Sequence, residues 1–101
     1  MSDISTQNRT RTRLRTARPK LHKVILLNDD YTPREFVVKV LESVFGLGEP
    51  QAESIMMTAH QKGAAVIAVY TKEIAETKAD EAIELSQQFG FPLMLTTEPE
   101  E

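Results

Sequence analysis

The sequence predicts an α+β fold, a two-layer sandwich in which three helices pack against a small three-stranded sheet. Three short apolar segments are typical of strands, and three longer segments repeat their apolar residues at helical spacing. Along the chain these segments follow the order β-α-α-β-α-β within roughly 80 residues, a length that suits one small domain with a modest core.

The first half of this pattern begins with a strand predicted over Leu21 to Leu27 and continues with a helix over Pro33 to Phe45. We expect Thr32 to be the N-cap of that helix, with a proline at its first position and Glu35 completing a capping box. Gly46 follows the helix and can end it in the left-handed conformation.

The second half contains a helix predicted from Glu49 to Lys62, a strand over Ala64 to Tyr70, a helix capped by Thr71 and ending at Gln88, and a last strand over Leu93 to Thr97. The run from Ala64 is continuously apolar and rich in β-branched residues, which predicts a strand buried on both faces. The stripe expected to be buried on the second helix is Ala52, Ile55, Met56, Ala59 and His60.

Charge divides the chain into unlike parts, although the formal net charge is only −3. Residues 1–20 hold six Arg or Lys and one Asp, a net charge of +5, whereas residues 21–101 hold six bases and fourteen acids, a net charge of −8. We therefore predict a disordered basic extension over residues 1–19, a globular domain over residues 20–97 and a frayed acidic tail over residues 98–101.

Several classes of function find no support in the composition. There is no cysteine, which excludes disulfides, thiol catalysis and thiolate metal sites. No apolar run approaches the roughly 20 residues of a membrane span. The serines of the globular part fall within predicted helices, and no glycine-rich phosphate loop is present. We expect a monomeric binding protein that is not an enzyme, has no cofactor or metal, and binds neither membranes nor nucleic acid.

Three polar residues between the first strand and the first helix are the leading site candidates. Asn28, Asp29 and Asp30 would stand on a tight turn, where their acceptors suit a cationic group. The same residues also fit an ordinary Asx-type turn that binds nothing, which is the commoner case, and two adjacent aspartates are weak evidence for a metal.

A histidine on the second helix could complete such a site. His60 lies four residues after Met56 and on the same face, where a histidine is usually a core residue. If that face packs beside the turn, His60 would meet Asn28 and Asp30 with Met56 beneath them. An amide oxygen, a carboxylate and a neutral imidazole nitrogen would then match the three donors of a charged α-amino group.

Asn28, Asp29 and Asp30 belong to a run, Val24 to Pro33 (VILLNDDYTP), that resembles the signature of the ClpS adaptor family. The resemblance extends to Glu35-Phe36-Val37, to the pair Met56 and His60, to residues 73–78 (EIAETK) and to Pro92-Leu93, and it covers about residues 20–96. The C-terminal domain of the ribosomal stalk protein shares the fold of this family but lacks the Asn-Asp-Asp turn and the histidine.

The resemblance implies an adaptor that binds proteins beginning with Leu, Phe, Tyr or Trp and delivers them to a ClpA-type AAA+ unfoldase, which feeds the ClpP protease. It implies that Asn28, Asp30 and His60 bind the substrate's α-amino group, with Asp29 contributing through its backbone. It also implies that Glu73 and Lys78 dock on the N-terminal domain of the unfoldase. The residues that match the family's side-chain pocket are Leu27, Thr32, Arg34, Val37, Met56, Ala59 and Leu93.

Two positions depart from the pattern of the family. Arg34 stands where methionine is common at the pocket rim, and Ala59 stands where valine is common. Ala59 is smaller than valine, and the missing bulk is expected to change the pocket's affinity for each first side chain by around 1–2 kcal/mol. We expect this pocket to favour Phe, Tyr or Trp over Leu.

Two other readings of the chain stay open. One is a nucleic-acid- or ribosome-associated protein that binds through the basic extension, and the other is a small metal-dependent hydrolase. The family implies a bacterial cytoplasm, although the Arg- and Thr-rich extension is also compatible with transit to a plastid stroma.

Overall fold

The computed structural model describes residues 20–100 and has six elements in the predicted order. They are β1 (Leu21–Leu27), α1 (Arg34–Phe45), α2 (Glu49–Lys62), β2 (Ala64–Thr71), α3 (Lys72–Gln88) and β3 (Met94–Pro99). This confirms the α+β fold and the order β-α-α-β-α-β. The predicted basic extension over residues 1–19 lies outside the described residues. No helix within residues 20–100 is both long and apolar enough to cross a membrane.

The first strand occupies the centre of the sheet. The strand order is β2-β1-β3, and β1 pairs with both neighbours in antiparallel fashion. Leu26 lies opposite Ala65 on one side and Leu95 on the other, and all three residues are buried in the core. The core also includes buried residues of all three helices, so the helices cover this face of the sheet and the end of β1 is held firmly in place.

The opposite face of the sheet is largely open among the described residues. Val66 pairs with Ile25 on this face and is 48% exposed, and Met94 of β3 is 53% exposed. The expectation that the second strand is buried on both faces is therefore wrong. Its continuous apolar run reflects the preference of β-branched residues for strands more than burial, because helices pack on one side only.

The predicted start of α1 also needs correction. The N-cap is Pro33 and has no side-chain capping bond, so the capping box of Thr32 and Glu35 does not form. The Thr32 hydroxyl instead donates to the carboxylate of Asp29, at 2.9 Å between Oγ1 and Oδ2. The end of the helix is as predicted, since Gly46 adopts the left-handed conformation with φ 71°.

The last strand continues beyond its predicted end. It runs through Pro99 rather than ending at Thr97, and the backbone N–H of Glu100 donates to the carbonyl of Leu21 at 2.8 Å. Residues 98–100 are therefore paired with β1, unlike the frayed tail that the sequence predicted. Proline is tolerated because β3 is an edge strand, where a missing N–H can face away from the sheet.

Candidate functional site

The loop after β1 is joined to the end of α2. The backbone N–H of Asn28 donates to the carbonyl of Gly63 at 3.0 Å, and Gly63 is the C-cap of α2. His60 precedes this residue by less than one turn, so the hydrogen bond holds the histidine next to the loop. The structure thus brings together the two segments that the sequence analysis expected to converge.

Asp29 fixes the shape of the loop. Its Oδ1 accepts hydrogen bonds from the backbone N–H groups of Tyr31 at 2.8 Å and Thr32 at 2.7 Å, and its Oδ2 accepts from the Thr32 hydroxyl. This is the Asx-type turn considered above, and it uses the carboxylate of Asp29 internally. Asp29 therefore shapes the site and leaves its neighbours to face outward.

A cavity of about 290 Å³ opens between this loop, the C-terminal part of α2 and the residue before β3. Its apolar lining is mostly buried: Ala59 and Leu93 are each 2% exposed, and Val37 is 7% exposed. The apolar lining residues are Leu26, Leu27, Val37, Met56, Ala59 and Leu93, and the others are Asn28, Asp29, Asp30, Tyr31, Thr32, Pro33, Arg34 and His60. The cavity therefore combines an apolar interior with a polar rim, as small-molecule sites do.

Every residue expected at the amine site or in the side-chain pocket lines this one cavity. Three further lining residues were missed by the sequence analysis: Leu26, Tyr31 and Pro33. Leu26 was placed only in the first strand, although its position next to the polar turn could have suggested a place in the site as well. Tyr31 is 81% exposed. Its position directly after the three polar residues of the turn is the signal in the sequence that could have suggested it.

Two of the expected acceptors are exposed and available. Among residues 20–100, no hydrogen bond or ion pair to another side chain or backbone group involves the side chain of Asn28 or Asp30. No group of three or more acidic, histidine or cysteine side chains in this range is arranged to hold a metal ion. The geometry therefore offers acceptors to a ligand that brings several donors of its own.

His60 is paired with an arginine at the rim. Its Nε2 lies 2.8 Å from the Nη2 of Arg34, and both residues are exposed, so the expectation that His60 belongs to the buried stripe of α2 is wrong. A guanidinium has only donors, so Nε2 accepts this hydrogen bond and the ring proton lies on Nδ1. The pairing shows that Nε2 is turned toward the rim as an acceptor.

An aromatic cluster joins α1 to the segment that precedes β3. The ring of Phe36 in α1 packs edge-on against Phe91, with 4.7 Å between ring centroids, and against Phe89 at 5.3 Å. Such contacts stabilise by about 0.5–1.5 kcal/mol beyond the area that they bury. They hold the segment that leads into Leu93 close to the N-terminal end of α1, where Val37 and Arg34 line the cavity.

The two residues expected to dock an unfoldase lie on α3 and do not line the cavity. Glu73 is exposed in the first turn of the helix, next to Ile74, which is 49% exposed. Lys78 is half-buried, and its Nζ donates to the backbone carbonyl of Val44 near the end of α1 at 2.9 Å. The ammonium group thus also satisfies a helix-end carbonyl, a structural role that the sequence did not predict.

Comparison with known proteins identifies the family. The family model described as "ATP-dependent Clp protease adaptor protein ClpS" matches residues 17–96. The chain is 56% identical to ATP-dependent Clp protease adapter protein ClpS 2 of Mesorhizobium japonicum and 54% identical to ClpS 1 of Bradyrhizobium diazoefficiens, each over 101 residues that cover both chains in full.

A solved structure agrees in fold as well as in sequence. It is that of Agrobacterium tumefaciens ClpS2 bound to L-phenylalaninamide, which superposes with a TM-score of 0.81 at 61% identity and covers 82% of this chain and 100% of the other. The expected resemblance is confirmed, and the chain belongs to the ClpS family of ATP-dependent Clp protease adaptors.

Proposed function

We propose that this adaptor binds proteins that begin with a bulky hydrophobic residue and a free α-amino group, and that it delivers them to a ClpA-type unfoldase of the ClpAP protease. The first side chain enters the cavity, and the α-ammonium group donates to Asn28, Asp30 and His60. The protein performs no catalysis and acts in the bacterial cytoplasm.

The observation that carries this proposal is the pairing of an apolar cavity with exposed acceptors at its rim. A cavity of about 290 Å³ is small for a whole ligand, so it suits one side chain, and the rim suits the group attached to it. The ligand in the related Agrobacterium tumefaciens structure supports this, because L-phenylalaninamide has a benzyl side chain and a free α-amine.

Two terms of comparable size give the binding its selectivity. Burial of one Leu or Phe side chain stabilises a complex by about 2–3 kcal/mol. Each hydrogen bond between the ammonium group and an acceptor of the rim adds about 1.5–3 kcal/mol. The cavity therefore selects the first residue, while the rim requires that the amine be free. Both terms are needed, because the rim alone accepts any free N-terminus and the cavity alone accepts any exposed hydrophobic side chain.

Peptides that differ only at their N-terminus test the proposal. A dye-labelled peptide beginning with free Phe should bind at least about 100-fold more tightly than its N-acetylated form, because acetylation removes the charge and two of the three donors. Fluorescence anisotropy titration measures both affinities. Equal binding of the free and acetylated peptides contradicts recognition of the amine.

Changing the first residue separates the two terms. A Ser-starting peptide keeps the amine but has no apolar side chain to bury, so its binding should be about 30-fold or more weaker than that of the Phe peptide. A Leu-starting peptide should fall between them, since Ala59 leaves room that a ring fills better. Binding that is insensitive to the first residue contradicts a role for the cavity.

The resemblance to the family assigns docking on the unfoldase to Glu73 and Lys78, but Lys78 also has a structural contact that must be measured separately. Lys78→Ala should lower the free energy of unfolding by about 1 kcal/mol, because the Val44 carbonyl loses its donor. Glu73→Ala is the matched comparison on the same helix and should leave stability within about 0.5 kcal/mol of wild type. Urea denaturation of both variants measures this, and equal stability of the two contradicts a structural role for Lys78.

A further inference from the structure

The arginine at the cavity rim occupies an acceptor that the proposed ligand needs. Arg34 Nη2 lies 2.8 Å from His60 Nε2, and both residues line the cavity. A neutral imidazole has a single lone pair in its ring plane, so Nε2 cannot accept from both the guanidinium and an α-ammonium group in good geometry. Ligand binding as proposed above must therefore displace Arg34 from His60.

The displaced guanidinium then lies close to a second cation. An ammonium group bound to His60 Nε2 lies about 2.8 Å from that atom, so a guanidinium that stays near the position it now has would lie within roughly 6 Å of the bound amine. Like charges repel at such distances, and the guanidinium also loses an acceptor for one of its five donors. Both costs fall if the ligand itself supplies an anionic acceptor to Arg34.

The polypeptide ligand can supply that acceptor. Consecutive Cα atoms are 3.8 Å apart, so the side chain of the second or third residue begins within reach of the long, exposed side chain of Arg34. A carboxylate matches the planar fork of a guanidinium better than any other protein group does. We propose that Arg34 selects substrates with Asp or Glu at their second or third position.

The other charges of the rim oppose this preference. Asp29 and Asp30 both line the cavity, and the carboxylate of Asp30 is exposed, so without Arg34 the rim would repel an acidic ligand. The carboxylate of Asp29 already accepts hydrogen bonds from the loop, but it keeps its charge. Arg34 should therefore reverse the sign of the preference.

Titrations with four peptides test the inference, which rests on the proposed function. All begin with free Phe and carry Gln at both positions, Glu at the second, Glu at the third, or Lys at the second. At low salt, at least one Glu peptide should bind wild type about three- to fivefold more tightly than the Gln peptide, and the Lys peptide more weakly. In Arg34→Met the Glu peptides should lose their advantage over the Gln peptide, and the comparison is made between peptides on the same variant.

A second cation provides the matched control. Lys62 ends α2, two residues after His60, does not line the cavity and cannot share a helix face with His60. Lys62→Met removes the same charge and should keep the preference for Glu. Equal loss of the preference in both variants would assign it to net charge and overturn the inference.

The outcomes also separate this inference from the proposed function. If none of these peptides binds more tightly than its N-acetylated form, the proposed function itself is refuted. Amine-dependent binding of the Gln peptide with no gain from Glu at either position would refute only the selection by Arg34.

Discussion

Asp30→Ala is expected to weaken binding of a peptide with free N-terminal Phe by more than tenfold while leaving the fold unchanged. Its carboxylate is exposed and accepts no hydrogen bond from the rest of residues 20–100, so the folded protein does not depend on it. The ligand loses a charge-assisted hydrogen bond of about 1.5–3 kcal/mol. Anisotropy titration measures the affinity, and urea denaturation should show stability within about 0.5 kcal/mol of wild type.

A neighbouring carboxylate provides the control for this variant. Glu35 is exposed, lies five residues further along the chain and does not line the cavity. Glu35→Gln removes the same charge from this region and should change the affinity by no more than about twofold, because exposed charges act weakly through solvent. The assignment of Asp30 as an amine acceptor fails if Asp30→Ala keeps its affinity, or if both variants weaken binding equally.

Asp29→Ala is expected to reduce both affinity and stability. The carboxylate of Asp29 accepts two backbone hydrogen bonds and one from the hydroxyl of Thr32, and all three are lost together. The free energy of unfolding should fall by about 2–3 kcal/mol. Binding of the Phe peptide should weaken at least tenfold, because the loop no longer presents Asn28 and Asp30 in one arrangement.

Asp29→Asn separates the turn from the charge. The Asn amide oxygen can still accept from the N–H groups of Tyr31 and Thr32, so this variant should lose less than half of the stability that Asp29→Ala loses. The same two measurements are made on both variants. A stable Asp29→Ala protein with weakened binding would instead place Asp29 in direct contact with the ligand.

The order of elements and most of their bounds could be predicted from the sequence because each rests on local signals. Gly46 and Gly63 end their helices in the left-handed conformation, and the spacing of Ala52 and Ala59 marks the buried face of α2. Such signals depend only on residues within a turn or two of one another, which is why they can be read without the fold.

The errors arose where one local pattern can serve two structures. Thr32 has the residue type and position of a helix cap, but Asp29 three residues earlier engages both its hydroxyl and its N–H. Val66 lies in a run that looks buried, yet exposure depends on which face the helices cover, and that is decided by packing of distant segments.

The site itself was only partly predictable for the same reason. Its members could be named, because the resemblance to a family supplied them, but the contact between Arg34 and His60 joins residues 26 positions apart. No local pattern gives such a pairing. It depends on how α1 and α2 cross, and side-chain partners across a helix interface are set by the whole core.

The hydrogen bond from Asn28 to Gly63 joins segments 35 residues apart in the chain, the loop after β1 and the end of α2, and both segments line the cavity. By mass action, a peptide ligand at 100 times its dissociation constant would raise the free energy of unfolding of the whole domain by about 2.7 kcal/mol. A peptide-bound domain would therefore resist unfolding more than the empty domain does.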